Sequence, residues 1–200
     1  MESISWLNVP DAADLPEDVQ TLLSKAEEKL DVVPNVFPVF SLTPKHFMKW
    51  FKYYDFLMRN EESELTRRER EMIALVVSSE NRCEYCLGSH SAYLREITGD
   101  AVLPDLLVHN YRRAELSERE RALLDFAVKL SRASAEMSPD DLEPLRDLGL
   151  SDETIFEAAQ VAAMFNFTDR LANALGWKPN EAYYHMHRDA NPEVAQPTDG

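Results

Sequence analysis

Between Leu65 and Asp100 the chain specifies two helices and the break between them, and this hairpin limits what the rest can fold into. Thr66 and Glu69 form a capping box, the threonine hydroxyl accepting from the amide of Glu69 while the glutamate side chain reaches back. The helix so opened covers about 66–80 and buries Ile73, Val76 and Val77. Asn81-Arg82 breaks it. A second helix starts around Cys83 and runs to about Ile97, where Thr98-Gly99-Asp100 stops it. Glu71 lies on the first arm, and Cys83-Glu84-Tyr85-Cys86 with His90 opens the second.

Helical signals continue on both sides. Leu15-Pro16-Glu17-Asp18 introduces an amphipathic helix carrying Val19, Leu22, Leu23, Ala26 and Leu30, ending near Asp31. The proline-broken apolar run Val33 to Phe40 predicts a buried connecting loop or the wall of an access path rather than a strand. Thr43-Pro44 opens an aromatic-rich helix to about Arg59, either central to the core or shared with another subunit. Further helices are expected over 103–110, from the capping box Ser117/Glu120 to about Arg132, from Ser138-Pro139 to Leu148, and from Ser151 to Leu175. Leu65 to Glu71 aligns with Leu116 to Ala122 at an offset of 51, with four identities, so two related helical halves are expected. With only five glycines and runs of Ala, Leu, Glu and Arg, the fold class is all-α. One domain is expected, its core at about 15–185, with 1–14 and 186–200 peripheral and the tail bearing Pro192, Pro197 and Gly200 mobile.

A net charge of −15 gives the chain no electrostatic reason to approach nucleic acid or anionic lipid. No apolar stretch approaches the roughly 18 to 20 residues that span a membrane. The start lacks a signal-peptide pattern, so a cytoplasmic location is expected, where a close cysteine pair is catalytic or metal-binding rather than a structural staple. Arg67, Arg68 and Arg70 interleave with Glu69 and Glu71, which reads as a solvated helix face. His46 and His109 stand alone as surface or core residues.

The two cysteines are the only ones in 200 residues. A thiolate, not a thiol, attacks peroxide or disulfide, so a working cysteine needs its pKa lowered from about 8.5. A helix N-terminus helps, His90 shares a helical face with Cys86 and can take its proton, and Glu71 on the adjacent arm can orient the imidazole. Cys83, one turn before Cys86, can capture an oxidised Cys86 as a disulfide. A zinc site would use Cys83, Cys86 and His90, but only the distant His185 or His187 offers a fourth ligand, so no metal is expected.

The pattern Glu71-x11-Cys83-x2-Cys86-x3-His90 resembles the alkylhydroperoxidase AhpD core within the carboxymuconolactone decarboxylase-like superfamily, and Phe165 to Gly176 resembles the closing helix of its peroxidase-related branch. The resemblance implies an all-helical fold of two related halves and a homo-oligomer: dimer, trimer or hexamer. It implies a thiol-dependent peroxidase in which Cys86 attacks a small hydroperoxide, Cys83 resolves it, and His90 and Glu71 form the proton path. No bound cofactor is implied, and an external dithiol or reductant protein returns the disulfide. Where AhpD has a histidine just before its second cysteine, this chain has Tyr85, which can relay a hydrogen bond but is a poor proton acceptor. Decarboxylase chemistry, which does not rely on a CxxC pair, fits less well. The other readings are a general disulfide reductase or redox relay, and a non-enzymatic redox-sensing module.

Overall fold

The computed structural model describes residues 3–189, and among them every regular element is helical. In chain order these are α1 (Glu17–Leu30), α2 (Val36–Phe40), α3 (Pro44–Arg59), α4 (Arg67–Glu80), α5 (Glu84–Thr98), α6 (Leu103–Asn110), α7 (Glu118–Ala133), α8 (Glu143–Asp147) and α9 (Asp152–Leu175). The expected helices form within a residue or two of their predicted ends, except that the one expected over 138–148 is divided into a 3-10 turn (Pro139–Asp141) and the short α8. The tail expected to be mobile lies largely outside the described residues. No described helix is long and apolar enough to cross a membrane.

Helix α4 is the axle, packed by α5, α6, α7 and α9. Its residues from Glu69 to Ser78 are all buried, which corrects the expectation of a solvated charged face. The error lies at Arg70, 2% exposed, whose guanidinium donates to the carbonyl of Asn60 at 3.0 Å. Periodicity misleads because a helix enclosed on all sides buries its polar residues too, provided each finds a partner.

Both capping boxes form, and they are cross-linked. Arg68 pairs with Glu120 at 2.7 Å, and Arg119, its counterpart at the offset of 51, pairs with Glu69 at 2.6 Å. This reciprocal exchange gives the sequence echo a physical form in two related helix starts packed against each other.

The run Val33 to Phe40 departs from the predicted loop, because Val36–Phe40 is helical. Pro38 is tolerated as the third residue of that helix, where an amide would have no intrahelical acceptor. Its start is tied to the C-terminal segment: Asn35 N–H donates to Asn180 Oδ1, and Asn180 Nδ2 donates to the Val33 carbonyl, both at 2.8 Å. Two hydrophobic clusters result. One gathers around α4, α7 and α9, and the other, around α1, α2 and the start of α3, includes Cys83, Tyr85, Cys86 and Trp177.

The chain after α9 is held by Arg95 of α5, which is buried and donates to the carbonyls of Tyr183 at 2.5 Å and Met186 at 2.8 Å. Replacing Arg95 by Met removes both donors while keeping the aliphatic stem, and about 1–3 kcal/mol is expected for each carbonyl left unsatisfied in the interior. Urea unfolding measures the total. A variant within 0.5 kcal/mol (roughly the range of neutral surface substitutions) would contradict this account of the anchor.

Candidate active site

The break between α4 and α5 is built by Asn81 and by Arg82, which takes positive φ (53°). Asn81 then works as a staple to α9: its amide donates to Asp169 Oδ2 at 2.9 Å and Asn166 Oδ1 at 3.1 Å, while Asn173 donates to its carbonyl at 2.8 Å. This turn delivers Cys83 as the N-cap of α5, its sulfur accepting from the amide of Cys86 at 3.4 Å. Both cysteines are free thiols, Cys83 fully buried and Cys86 3% exposed.

One helical turn further, His90 is buried, and its Nδ1 lies 2.6 Å from Oε2 of Glu71 on α4. The ring is further fixed by Phe165 and Tyr93, edge-on with centroids at 4.6 and 5.6 Å. A ring held this way presents its other nitrogen in a set direction. Cys86, Ser89 and His90 line a cavity of about 50 Å³ whose remaining wall is mainly aromatic, with Phe37 and Phe51 on one side and Phe165 on another. Pro34, Val36 and Phe37 contribute to the lining, so the access-wall reading of that stretch fits better than the loop reading. Cys83 is not among the lining residues and lies behind Cys86. Glu71 also borders a second, wider groove with Arg67, Arg70 and Glu96, which adjoins the first cavity through Tyr54, Arg59 and Tyr93.

The electrostatics correct one expectation. Cys86 is pushed well above the ordinary thiol range, first by its hydrogen bond to Cys83, then by burial and by the negative charge of Asp169. The helix N-terminus, expected to lower it, is directed elsewhere, since the Cys86 amide points at Cys83. The resting site is therefore a protonated one.

Tyr85 lines the same cavity, but its hydroxyl accepts from the Val36 amide at 3.4 Å, and beyond it the hydroxyls of Tyr183 and Tyr93 lie 3.2 Å apart. Burial raises the Tyr85 pKa.

Asp169 is the residue that sequence reasoning missed. It is fully buried on α9, with a carboxylate oxygen within 4.8 Å of both cysteine sulfurs, and it accepts from Asn81 Nδ2 at 2.9 Å and from Ser78 Oγ at 3.1 Å. A signal was present: Phe165, Thr168, Asp169 and Ala172 are spaced as one buried helical face, and an acid on such a face needs partners. Burial raises its pKa, and the hydrogen bonds it accepts oppose the rise. Cys83, Cys86 and Asp169 offer ligand atoms within 4.8 Å of one another. Among the described residues no fourth His, Cys, Asp or Glu joins them, and the His90 of the sequence-level zinc set is turned to Glu71. His185 and His187 are exposed, as are His46 and His109. The donors thus fall short of the four that a structural zinc site uses.

In the reduced protein, alkylation is expected to reach Cys86 before Cys83 and to be slow at neutral pH. Because the Cys86 pKa is raised, its thiolate appears only as pH climbs past the ordinary thiol range, and the rate should follow. Iodoacetamide labelling followed by peptide mass spectrometry across pH checks this. Labelling as fast as that of free glutathione at neutral pH would contradict it.

Residues 44–99 match the model of the carboxymuconolactone decarboxylase family. The fold is similar to the alkylhydroperoxidase AhpD core structure of an uncharacterized peroxidase-related protein from Ralstonia eutropha JMP134, with 37% identity, 96% of this chain and 100% of that chain covered, and a TM-score of 0.91. An uncharacterized peroxidase-related protein from Silicibacter sp. TM1040 is 42% identical over 94% of this chain and 97% of its own, at a TM-score of 0.89. The debrominase Bmp8 shares the fold at 17% identity, with 96% and 99% covered and a TM-score of 0.75. No curated protein matches the sequence. With more than a third of its residues identical across essentially the whole of a solved relative, the chain belongs to the AhpD-like group of the carboxymuconolactone decarboxylase superfamily.

Proposed function

We propose that the protein is a thiol-dependent peroxidase in which Cys86 reduces a small organic hydroperoxide. The observation that carries this reading is the shared cavity: Cys86 and the Glu71-held His90 line the same enclosed, aromatic-walled space, with Cys83 directly behind. His90 takes the proton of Cys86, and the thiolate attacks the distal peroxide oxygen. An S–O bond forms as the O–O bond breaks. The departing alkoxide receives the proton held by His90, leaving an alcohol and a sulfenic acid on Cys86. Cys83 then closes a disulfide with loss of water, and an external dithiol restores both thiols.

Two further features support a small, oxygen-bearing ligand. Trp50 and Trp177 line the cavity, and among the described residues their indole N–H groups are buried with no acceptor. A buried donor without a partner is costly, and peroxide oxygens would supply the acceptors. The burial of both sulfurs also argues against a folded protein disulfide as substrate, since the two thiols would have to emerge to meet it. A homo-oligomer, dimer, trimer or hexamer, belongs to the same proposal, and sedimentation velocity reads its size.

Stopped-flow consumption of cumene hydroperoxide with excess dithiothreitol tests the assignment. Cys86→Ser is expected to fall to the uncatalysed background. His90→Ala should lose about 10²-fold or more, the usual worth of a positioned base. With dithiothreitol left out, Cys83→Ser should consume one equivalent of peroxide in a first turnover and hold a sulfenic acid. Undiminished turnover in Cys86→Ser would sink the reading.

A further inference from the structure

Disulfide closure creates a second proton problem, and the proton acceptor on the cavity side is not placed to solve it. His90 and Cys86 line the cavity, whereas Cys83 lies outside that lining. The thiol of Cys83 must lose its proton in a fully buried position, and the oxygen leaving Cys86 must gain one.

Asp169 is buried beside both sulfurs, one of its carboxylate oxygens and the two Sγ atoms all lying within 4.8 Å of one another. It reaches them from α9, the element opposite α4 and α5, and its carboxylate is oriented by two independent bonds from the hairpin, Ser78 Oγ at 3.1 Å on Oδ1 and Asn81 Nδ2 at 2.9 Å on Oδ2. The groups facing it are the two thiols from the start of α5 and these two neutral donors from α4 and its C-cap. The neighbouring cations are turned elsewhere: Arg170 is exposed and donates to Asn166, and Arg82 is exposed at the turn.

Resting on the peroxidase reading above, we propose that Asp169 is a catalytic acid–base residue of disulfide closure, carrying the proton of Cys83 to the oxygen that leaves Cys86. The carboxylate takes the proton from the Cys83 thiol, and the Cys83 sulfur attacks the Cys86 sulfur. An S–S bond forms while the S–O bond breaks, and the departing hydroxide takes the same proton from Asp169 and leaves as water. Cys83 is oxidised and the sulfenic sulfur reduced, with no other reactant. The amide of Cys86, already directed at the Cys83 sulfur at 3.4 Å, faces the charge that develops there during attack. Burial supports the role by raising the Asp169 pKa, which makes its carboxylate a stronger proton acceptor.

The test separates the two chemical steps. Reduced protein is mixed rapidly with one equivalent of cumene hydroperoxide and quenched into dimedone. Peroxide loss reports attack by Cys86, and the dimedone adduct measured by mass spectrometry reports sulfenic acid awaiting closure. In the wild-type protein little adduct is expected. In Asp169→Asn, closure should slow about 10²-fold beyond whatever the peroxide step loses, so that the adduct accumulates. Asp169→Glu should recover part of the rate. Closure in Asp169→Asn as fast as in the wild type overturns the Asp169 assignment alone, whereas a wild-type protein that leaves the peroxide intact overturns the peroxidase reading and this assignment with it. If Asp169→Asn does not fold, the wild-type pH profile decides. Closure should rise with pH through one carboxyl ionisation, below the thiol range. A rate that rises only in the thiol range overturns the proposal.

Discussion

The structure depends on a helix that has no solvated side. Because α4 is buried from Glu69 to Ser78, each polar residue it carries in that span must find its partner on another element. Glu69 takes Arg119 of α7, Arg70 takes the carbonyl of Asn60, Glu71 takes His90 of α5, and Ser78 takes Asp169 of α9. A buried polar group left without its partner typically costs about 1–3 kcal/mol, so these pairings fix the neighbouring helices in register. Two of the four also position the candidate site. The packing of the core and the geometry around the cysteines are thus one problem with one solution.

The pseudo-symmetry of the two halves sharpens this. Arg68 with Glu120 and Arg119 with Glu69 relate α4 to α7 by an exchange of equivalent pairs, and in an even-handed molecule the position of Glu71, two residues on, would also match. It does not: Glu71 stands opposite Ala122. An alanine there demands no buried partner, so α7 can pack through Leu123, Leu124 and Ala127 without a histidine to answer it. The asymmetry of the pair at this one position confines the polar site to a single half.

Local signals in the chain carried most of the helical framework. Capping boxes at Thr66 and Ser117, the glycine stops at 99 and 176, and Pro44 at the start of α3 act within a few residues and are read directly. The approach of Glu71 to His90 was also legible, because a hairpin that short leaves few choices for a buried acid and a buried imidazole. What the sequence hid depends on long-range enclosure. Arg70 reads as a surface residue until four helices surround it, and Val36 to Phe40 reads as a loop because prolines are judged without knowing which amides lack acceptors. Asp169 lies more than eighty residues from the cysteines, and no local rule joins it to them. The state of Cys86 was misread for a related reason: the helix N-terminus expected to ionise it serves Cys83, and burial pushes its pKa the other way.

A site that rests with its attacking thiol protonated has a consequence for how a peroxidase reaction would run in it. Proton removal must then accompany or directly precede attack, so the rate depends on where the acceptors lie and not on a standing thiolate population. The two buried carboxyls, Glu71 and Asp169, approach the sulfur pair from different helices, one bonded to His90 on the cavity side and the other within 4.8 Å of both sulfurs. Bringing both to one side would set two like charges together in a low dielectric, and one of them would be forced into its neutral form. Keeping them apart lets each serve one sulfur: under the proposed function, His90 handles the proton of the cysteine that meets peroxide, and Asp169 that of the cysteine that closes the disulfide. The CxxC spacing makes this division possible, since it places two sulfurs one helical turn apart, with Cys86 at the cavity and Cys83 behind it.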